Sequence, residues 1–177
     1  LSDQDELKIE KLIDSEFKFF LKNKNDIPIF AVGLSLGGTI LLNACLDYNS
    51  DNSRKLVDGL ACVSSPLDLI SCSNCIERSR NFLYQKWLIH RLKRQLWDGY
   101  RNEGILLPKS KLSKKIKGLK TIGEFDEEFT APSWGFKSLK DYYYQASPIF
   151  RIQKLIKNLP PTLLIHAKDD PWVPYES

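Results

Sequence analysis

The sequence predicts an α/β fold in which parallel strands are joined by crossover helices and interrupted by a helical insertion. Three observations predict it. An apolar run at 27–32 passes directly into Gly33-Leu34-Ser35-Leu36-Gly37-Gly38 and then into a helix-forming stretch. A second apolar run at 57–63 follows that helix, ending at Ser64-Ser65-Pro66. A third, Thr162 to Ala167, comes only after a long aromatic and basic segment. Strands separated by a crossover helix are parallel and right-handed, in a sheet covered on both faces.

The elements follow in order. Ser2 with Asp5 resembles a capping box, with Asp in place of Glu. Leu7, Ile9, Leu12, Ile13, Phe17, Phe20 and Leu21 then fall near helical spacing, which predicts an amphipathic helix over 4–22. Asn23-Lys24-Asn25-Asp26 ends it and leads into the first strand. A helix over 36–48 stops in the polar run Tyr48-Asn49-Ser50-Asp51-Asn52-Ser53. After the second strand, Pro66-Leu67-Asp68 reads as a helix entry. Residues 76–100 read as one long basic helical stretch carrying Phe82, Leu83, Tyr84, Trp87, Leu88, Leu92 and Trp97, with Pro108 as a later breaker. Residues 125–136 read as a loop with bulky apolar anchors. A short helix over 139–144 stops near Ser147-Pro148, and 152–156 is another helical turn. Pro160-Pro161 then opens the third strand. The expected organisation is a core from 1–70 and 146–177, with 71–145 as a helical cap or lid inserted into it.

Composition bounds the class. The chain has 177 residues, enough for one domain with a sizeable core. At 42% hydrophobic and 27% charged it is an ordinary globular sequence. No apolar run approaches the roughly 20 residues of a membrane span, and the polar, acidic start is unlike a signal peptide. A cytoplasmic location, with or without peripheral membrane contact, is the expectation. There is no Met, even at position 1, which predicts a processed, trimmed or partial chain. Cys45 and Cys62 read as small buried hydrophobes. Cys72-Ser73-Asn74-Cys75 lacks the further ligands of a zinc site and the setting of a redox motif, so it reads as incidental reduced thiols. Neither a metal nor a cofactor is expected.

Charge is unevenly placed. Residues 76–120 hold 13 Lys/Arg against 3 Asp/Glu, while the remainder carries 13 against 19. Such a segment can meet nucleic acid, an anionic membrane surface, or only solvent. No nucleic-acid motif accompanies it, so nucleic acid is not an expected partner.

The chemistry sits at the first strand–helix junction. G-x-S-x-G between a strand and a helix describes a nucleophile elbow, in which a tight turn forces the serine into strained geometry and exposes its Oγ. The alternative is a glycine turn that serves only close packing. As a nucleophile, Ser35 would sit beside unpaired helix N–H groups able to stabilise an oxyanion. That points to acyl transfer through a covalent serine ester. The third strand ends at Asp169-Asp170-Pro171. A carboxylate there can hold an imidazole by its N–H and stabilise the imidazolium. The spacing to Pro174 favours Asp170, with Asp169 as the alternative and an Asp-Pro turn as the non-catalytic reading. Asp68 is the lesser candidate. Only His90 and His166 exist. His90 lies among Arg91, Lys93 and Arg94. His166 precedes the acid on its own strand and is not expected to bend back onto it and also reach Ser35. The general base is therefore expected outside this chain.

With these pieces assembled, the chain resembles the YheT-type branch of the α/β-hydrolase superfamily. The resemblance is carried by the elbow, by Arg80-Asn81-Phe82-Leu83-Tyr84-Gln85 with Leu92-Lys93, and by Phe125-Asp126, Thr130-Ala131-Pro132, Gly135-Phe136 and Asp141-Tyr142-Tyr143 in that order. Ala146-Ser147 and Pro161 through Pro171 complete it. It implies a partial α/β-hydrolase fold and a serine hydrolase acting on small-molecule or lipid carboxylic esters of short or medium acyl chains. By position, it implies Ser35 as nucleophile, Asp170 as acid and the N–H of Leu36 as one oxyanion donor. It also implies that the early strands, the second oxyanion donor and the base-bearing segment lie outside these residues, and that the elbow strand has an exposed apolar edge. The alternative is a hydrolase-fold protein, or an inactive fragment, that binds anionic lipid surfaces through 76–120.

Overall fold

A computed structural model describes residues 28–48, 56–103 and 109–175. The helix expected over 4–22, the polar run after Tyr48 and Pro108 lie outside the described residues.

Three parallel strands form the sheet in the order β1 (Phe30–Leu34), β2 (Gly59–Val63) and β3 (Thr162–Ile165). Val32 pairs with Ala61, which pairs with Leu163, so sequence-distant strands are in register across one layer. Helix α1 (Leu36–Tyr48) crosses over from β1 to β2, as the alternation of apolar run and helix predicts. Strand side chains alternate faces. Leu60 and Cys62 point to α1 and pack with Leu42 and Cys45 in a cluster of fully buried residues, with Ala31 and Leu159 at its margin. The opposite face carries Phe30, Val32 and Leu34, which remain 71%, 66% and 68% exposed. Among the described residues β1 is an edge strand, in agreement with the expected apolar exposure of the elbow strand.

The strands are shorter than their apolar runs. Pro28 has no N–H to give a ladder, and β1 starts two residues beyond it but continues through Gly33 and Leu34. Asp58 instead receives the Ile29 amide on its Oδ2 at 2.7 Å. At the other end of the chain, His166 and Ala167 leave β3 and turn toward Asp170.

Between β2 and β3 the chain is helical. Helix α2 (Leu69–Ile76) is N-capped by Asp68, whose Oδ1 accepts from the Ile70 and Ser71 amides. The long helix expected over 76–100 is present but starts later, at Phe82. The chain breaks at Glu77-Arg78, passes through a short 3₁₀ turn (Ser79–Asn81), and restarts as α3 (Phe82–Glu103). Helix α4 (Lys109–Gly118) follows. The loop expected over 125–136 is also corrected. Helix α5 (Ile122–Phe125), a π turn (Asp126–Thr130) and α6 (Ala131–Ser133) run on continuously. A Thr121–Glu124 capping box starts this segment. Pro132 comes just after the π turn, at the start of α6. Gly135, at φ +79°, stops it in the left-handed conformation that glycine adopts without strain. Helices α7 (Leu139–Ala146) and α8 (Ile149–Leu155) lead back to the sheet.

The motif residues of this helical region bond to one another. Tyr143 donates its hydroxyl to Asp126 Oδ2 at 2.7 Å, and Thr130 donates to Asp126 Oδ1 at 2.6 Å. Burial pushes the Asp126 carboxyl above its usual range, and those two hydroxyls only partly offset it. Ser147 Oγ donates to the Tyr143 carbonyl and accepts the Leu69 amide. Asn43 Nδ2 donates to the Ala146 carbonyl at 2.8 Å, fastening α1 to the end of α7. Pairing buried polar groups in this way avoids the cost of leaving them unsatisfied, about 1–3 kcal/mol each.

Candidate active site

Ser35 stands between β1 and α1 with φ +49°. The left-handed region costs a non-glycine residue about 1–3 kcal/mol and persists only where its surroundings impose it. Here they do. The Ser35 amide donates to the Val63 carbonyl of the neighbouring strand at 2.9 Å, and the Gly38 amide donates to the Ser35 carbonyl at 3.0 Å. The turn is so tight that a Cβ on Gly33 would lie 2.3 Å from Gly38 Cα and 2.6 Å from Gly38 N. A Cβ on Gly38 would lie 2.0 Å from Ser65 Oγ. Gly37 is different: a Cβ there meets nothing within 4 Å among the described residues. The close packing thus falls on Gly33 and Gly38, whereas the five-residue pattern points to Gly33 and Gly37.

Ser35 is exposed, and Leu36 is the first residue of α1. The first N–H groups of an α-helix have no intrahelical acceptor and sit at the positive end of its dipole. An oxyanion formed on a group attacked by Ser35 would meet that end.

Asp170 lies just past β3, at the same carboxyl edge of the sheet. Its Oδ1 accepts the Trp172 amide at 2.9 Å and the Val173 amide at 3.0 Å. Burial alone would raise its pKa. The Val173 and Trp172 amides, the His166 imidazole and the Ser64 hydroxyl outweigh that and hold it below the usual carboxylate range. Asp169 is exposed, and Asp68 is occupied as a helix cap.

Ser64 joins the two halves of this edge, and its significance is not evident from the sequence. It is the second non-glycine residue with positive φ, at +47°. Its amide donates to the Ile165 carbonyl at 2.9 Å, and its hydroxyl reaches Asp170. Ser35 is tied to Val63 and Asp170 to Ser64, so consecutive residues at the end of β2 anchor both. The only sequence signal was the polar run Ser64-Ser65-Pro66 directly after an apolar strand.

The histidines differ. His90 is exposed on α3. His166 does bend toward Asp170: its Nε2 comes within 4.0 Å of Asp170 Oδ2. That same nitrogen is 2.8 Å from the Val173 carbonyl, so it is engaged by the loop that carries Asp170. Among the described residues no cluster of His, Cys, Asp and Glu could hold a metal ion. No described helix is long and apolar enough to cross a membrane.

The C-x-x-C pair lies directly against the loop that follows Asp170. Both cysteines are buried and free. Cys72 Sγ donates to the Trp172 carbonyl at 3.6 Å and Cys75 Sγ to the Pro171 carbonyl at 3.5 Å. Burial, with Cys75, Asp170 and Asp68 nearby, pushes the Cys72 thiol up to about 12, which keeps it protonated as a donor.

No family model and no solved structure matches the chain. Curated proteins do. The Escherichia coli protein YheT is 36% identical over 149 residues, covering 84% of this chain and 42% of its own length. An abhydrolase domain-containing protein of Dictyostelium discoideum is 31% identical over 172 residues, covering 93% and 40%. A monoacylglycerol lipase of Saccharomyces cerevisiae is 29% identical over 151 residues, covering 81% and 31%. The chain spans less than half the length of these relatives. Together with the parallel sheet and its strand–serine–helix junction, they show that this chain belongs to the α/β-hydrolase family and is YheT-like in sequence.

Proposed function

We propose that the full-length protein is a serine esterase acting on small-molecule or lipid carboxylic esters. The observation that carries this reading is the strained φ of +49° at Ser35, exposed at a strand–helix junction on the same sheet edge as Asp170. In this reading Ser35 Oγ attacks the ester carbonyl carbon and gives its proton to a histidine base. The Leu36 N–H stabilises the oxyanion, together with a second donor from beyond this segment. The tetrahedral intermediate collapses, the imidazolium protonates the departing alkoxide, and water then releases the acid from Ser35. Asp170 orients the imidazole and stabilises its charged form. His166 is engaged by the Val173 carbonyl, which supports a base drawn from outside residues 1–177. Residues 71–145 would form a lid over this edge. The Saccharomyces cerevisiae relative, a monoacylglycerol lipase, supports a lipid ester as substrate.

Labelling with a fluorophosphonate probe tests the reading. The full-length protein is expected to label, and Ser35→Ala to abolish it. Undiminished labelling of Ser35→Ala would sink the assignment. The isolated 177-residue chain is expected to turn over little ester, because losing one oxyanion donor alone costs ~10²–10³ in rate. Robust p-nitrophenyl ester hydrolysis by this chain, lost in Ser35→Ala, would contradict that and return His166 or His90 to consideration.

One further observation favours a peripheral lipid-surface contact through 76–120. Phe82, Leu83 and Trp87 stay 59%, 79% and 56% exposed on α3, beside the exposed Lys86, Arg91 and Arg94. Apolar side chains flanked by cations suit an anionic interface. Vesicle co-sedimentation at low salt is expected to favour anionic over neutral lipid; equal binding counts against this contact.

A further inference from the structure

We propose that Asn81 is a positioning residue for Asp170, and that the Cys72 and Cys75 thiols assist it by gripping the same loop. The inference rests on the reading of Asp170 as the catalytic acid. Asn81 is buried in the 3₁₀ turn between α2 and α3. Its Nδ2 donates to the Pro171 carbonyl at 2.7 Å and to the Cys75 carbonyl at 2.8 Å. One amide group thereby fastens the end of α2 to the residue immediately after the acid. Cys75 Sγ donates to the same Pro171 carbonyl, and Cys72 Sγ to the next carbonyl, that of Trp172. The Trp172 ring stacks on Tyr84 of α3, with centroids 3.8 Å apart and an 11° interplanar angle. Val173 is buried with Cys72 and Ile76.

These contacts fix the peptide units whose N–H groups hold the carboxylate. The Trp172 and Val173 amides, which bind Asp170 Oδ1, belong to the peptide planes whose carbonyls are those of Pro171 and Trp172. A peptide unit is planar, so anchoring its C=O orients its N–H. Donors on the α2–α3 side therefore hold the two carbonyls, and the amides of the same planes hold the carboxylate. Removing the donors frees both planes to rotate, and with them the acid. A misplacement of about 1 Å in a catalytic constellation can cost ~10²-fold in rate.

The test combines Asn81→Leu, which removes both donors at similar size, with Cys75→Ala and Cys75→Ser, which remove and retain a donor to the Pro171 carbonyl. Two readouts are taken on the full-length protein. The first is hydrogen exchange at the Trp172 and Val173 amides, referenced to Cys62 in β2. The second is kcat and KM on a p-nitrophenyl ester. Asn81→Leu is expected to speed exchange at the two loop amides about tenfold or more relative to Cys62 and to lower kcat by ~10–10²-fold at little-changed KM. Cys75→Ala is expected to move both readouts the same way by less, and Cys75→Ser to restore them. Wild-type loop exchange and wild-type kcat in folded Asn81→Leu would overturn the proposal. If Asn81→Leu does not fold, identical behaviour of Cys75→Ala and Cys75→Ser overturns it. Asp170→Asn in the same assay separates the two claims. Unchanged kcat in Asp170→Asn defeats the functional reading, while the exchange ratio still reports whether the grip exists.

Discussion

Ser35 and Asp170 reach the same edge of the sheet by opposite means. Ser35 is set mainly by its near neighbours: Gly33, packed against Gly38 five residues later, and the Gly38 amide on the Ser35 carbonyl. Asp170 is set by a loop whose carbonyls are held from 90 to 100 positions away, by Asn81, Cys75 and Cys72. A locally built feature works through sterics and tolerates no added atom where backbone meets backbone, as at Gly33. A remotely built one works through several weak donors and loses position by degrees. Substitutions in the first should therefore act on folding itself, and substitutions in the second on loop order and its dependence on pH.

The largest effect is expected at Gly33. Gly33→Ala drives a methyl into backbone that cannot move without undoing the turn at Ser35, so a loss of about 3 kcal/mol or more is expected in urea unfolding. Gly38→Ala should cost less, because Ser65 Oγ can rotate away, although its Cβ at 2.9 Å limits the relief. Should both variants match wild type, the turn at Ser35 is not sterically imposed.

The two partly buried carboxylates should respond to pH in opposite directions, which sharpens the contrast between loop and helical region. Asp170 has a depressed folded-state pKa, so its contribution is present above the ordinary carboxylate range near ~4 and is lost as pH falls through the lower folded value. Asp126 has a raised one, so its contribution is fully present below ~4 and is lost as pH rises through the higher folded value. Urea midpoints of wild type against Asp170→Asn and Asp126→Asn across this range check both signs. Parallel pH profiles for the two pairs would contradict the account.

Smaller changes are expected elsewhere. Tyr84→Leu removes the stacking partner of Trp172 and should cost about 0.5–1.5 kcal/mol, with altered Trp172 fluorescence. Gly37→Ala should be neutral or stabilising by up to about 1 kcal/mol, since a helical alanine replaces a glycine in open space. A destabilised Gly37→Ala would show that both glycines of the five-residue pattern are needed.

This contrast also governs what the sequence discloses. The strand–Ser35–helix turn is legible because its determinants are contiguous: apolar strand, glycine, serine, glycine, helix. The strands and α1 are legible for the same reason, apart from ends trimmed by Pro28 and by the turn toward Asp170. The role of Cys72 and Cys75 is not, because nothing in C-x-x-C spacing reveals that its thiols face two carbonyls nearly a hundred residues later. Ser64 is hidden likewise, its positive φ arising from its place between two strands. The π turn at 126–130 reads as a loop because Thr130, Pro132 and Gly135 are all loop-prone. Its helical course depends on Asp126 meeting Thr130 and Tyr143, the latter on a different helix. Residues such as Asp126, Tyr143 and Ser147 carry the resemblance in the sequence, yet their observed bonds join helices to one another.

The central claim is that Ser35 is the nucleophile, and the most direct measurement maps the fluorophosphonate adduct on the full-length protein by tryptic mass spectrometry. The account predicts a single phosphonyl group on Ser35, in the peptide spanning residues 25–54. An adduct on any other residue, with Ser35 unmodified, would contradict it.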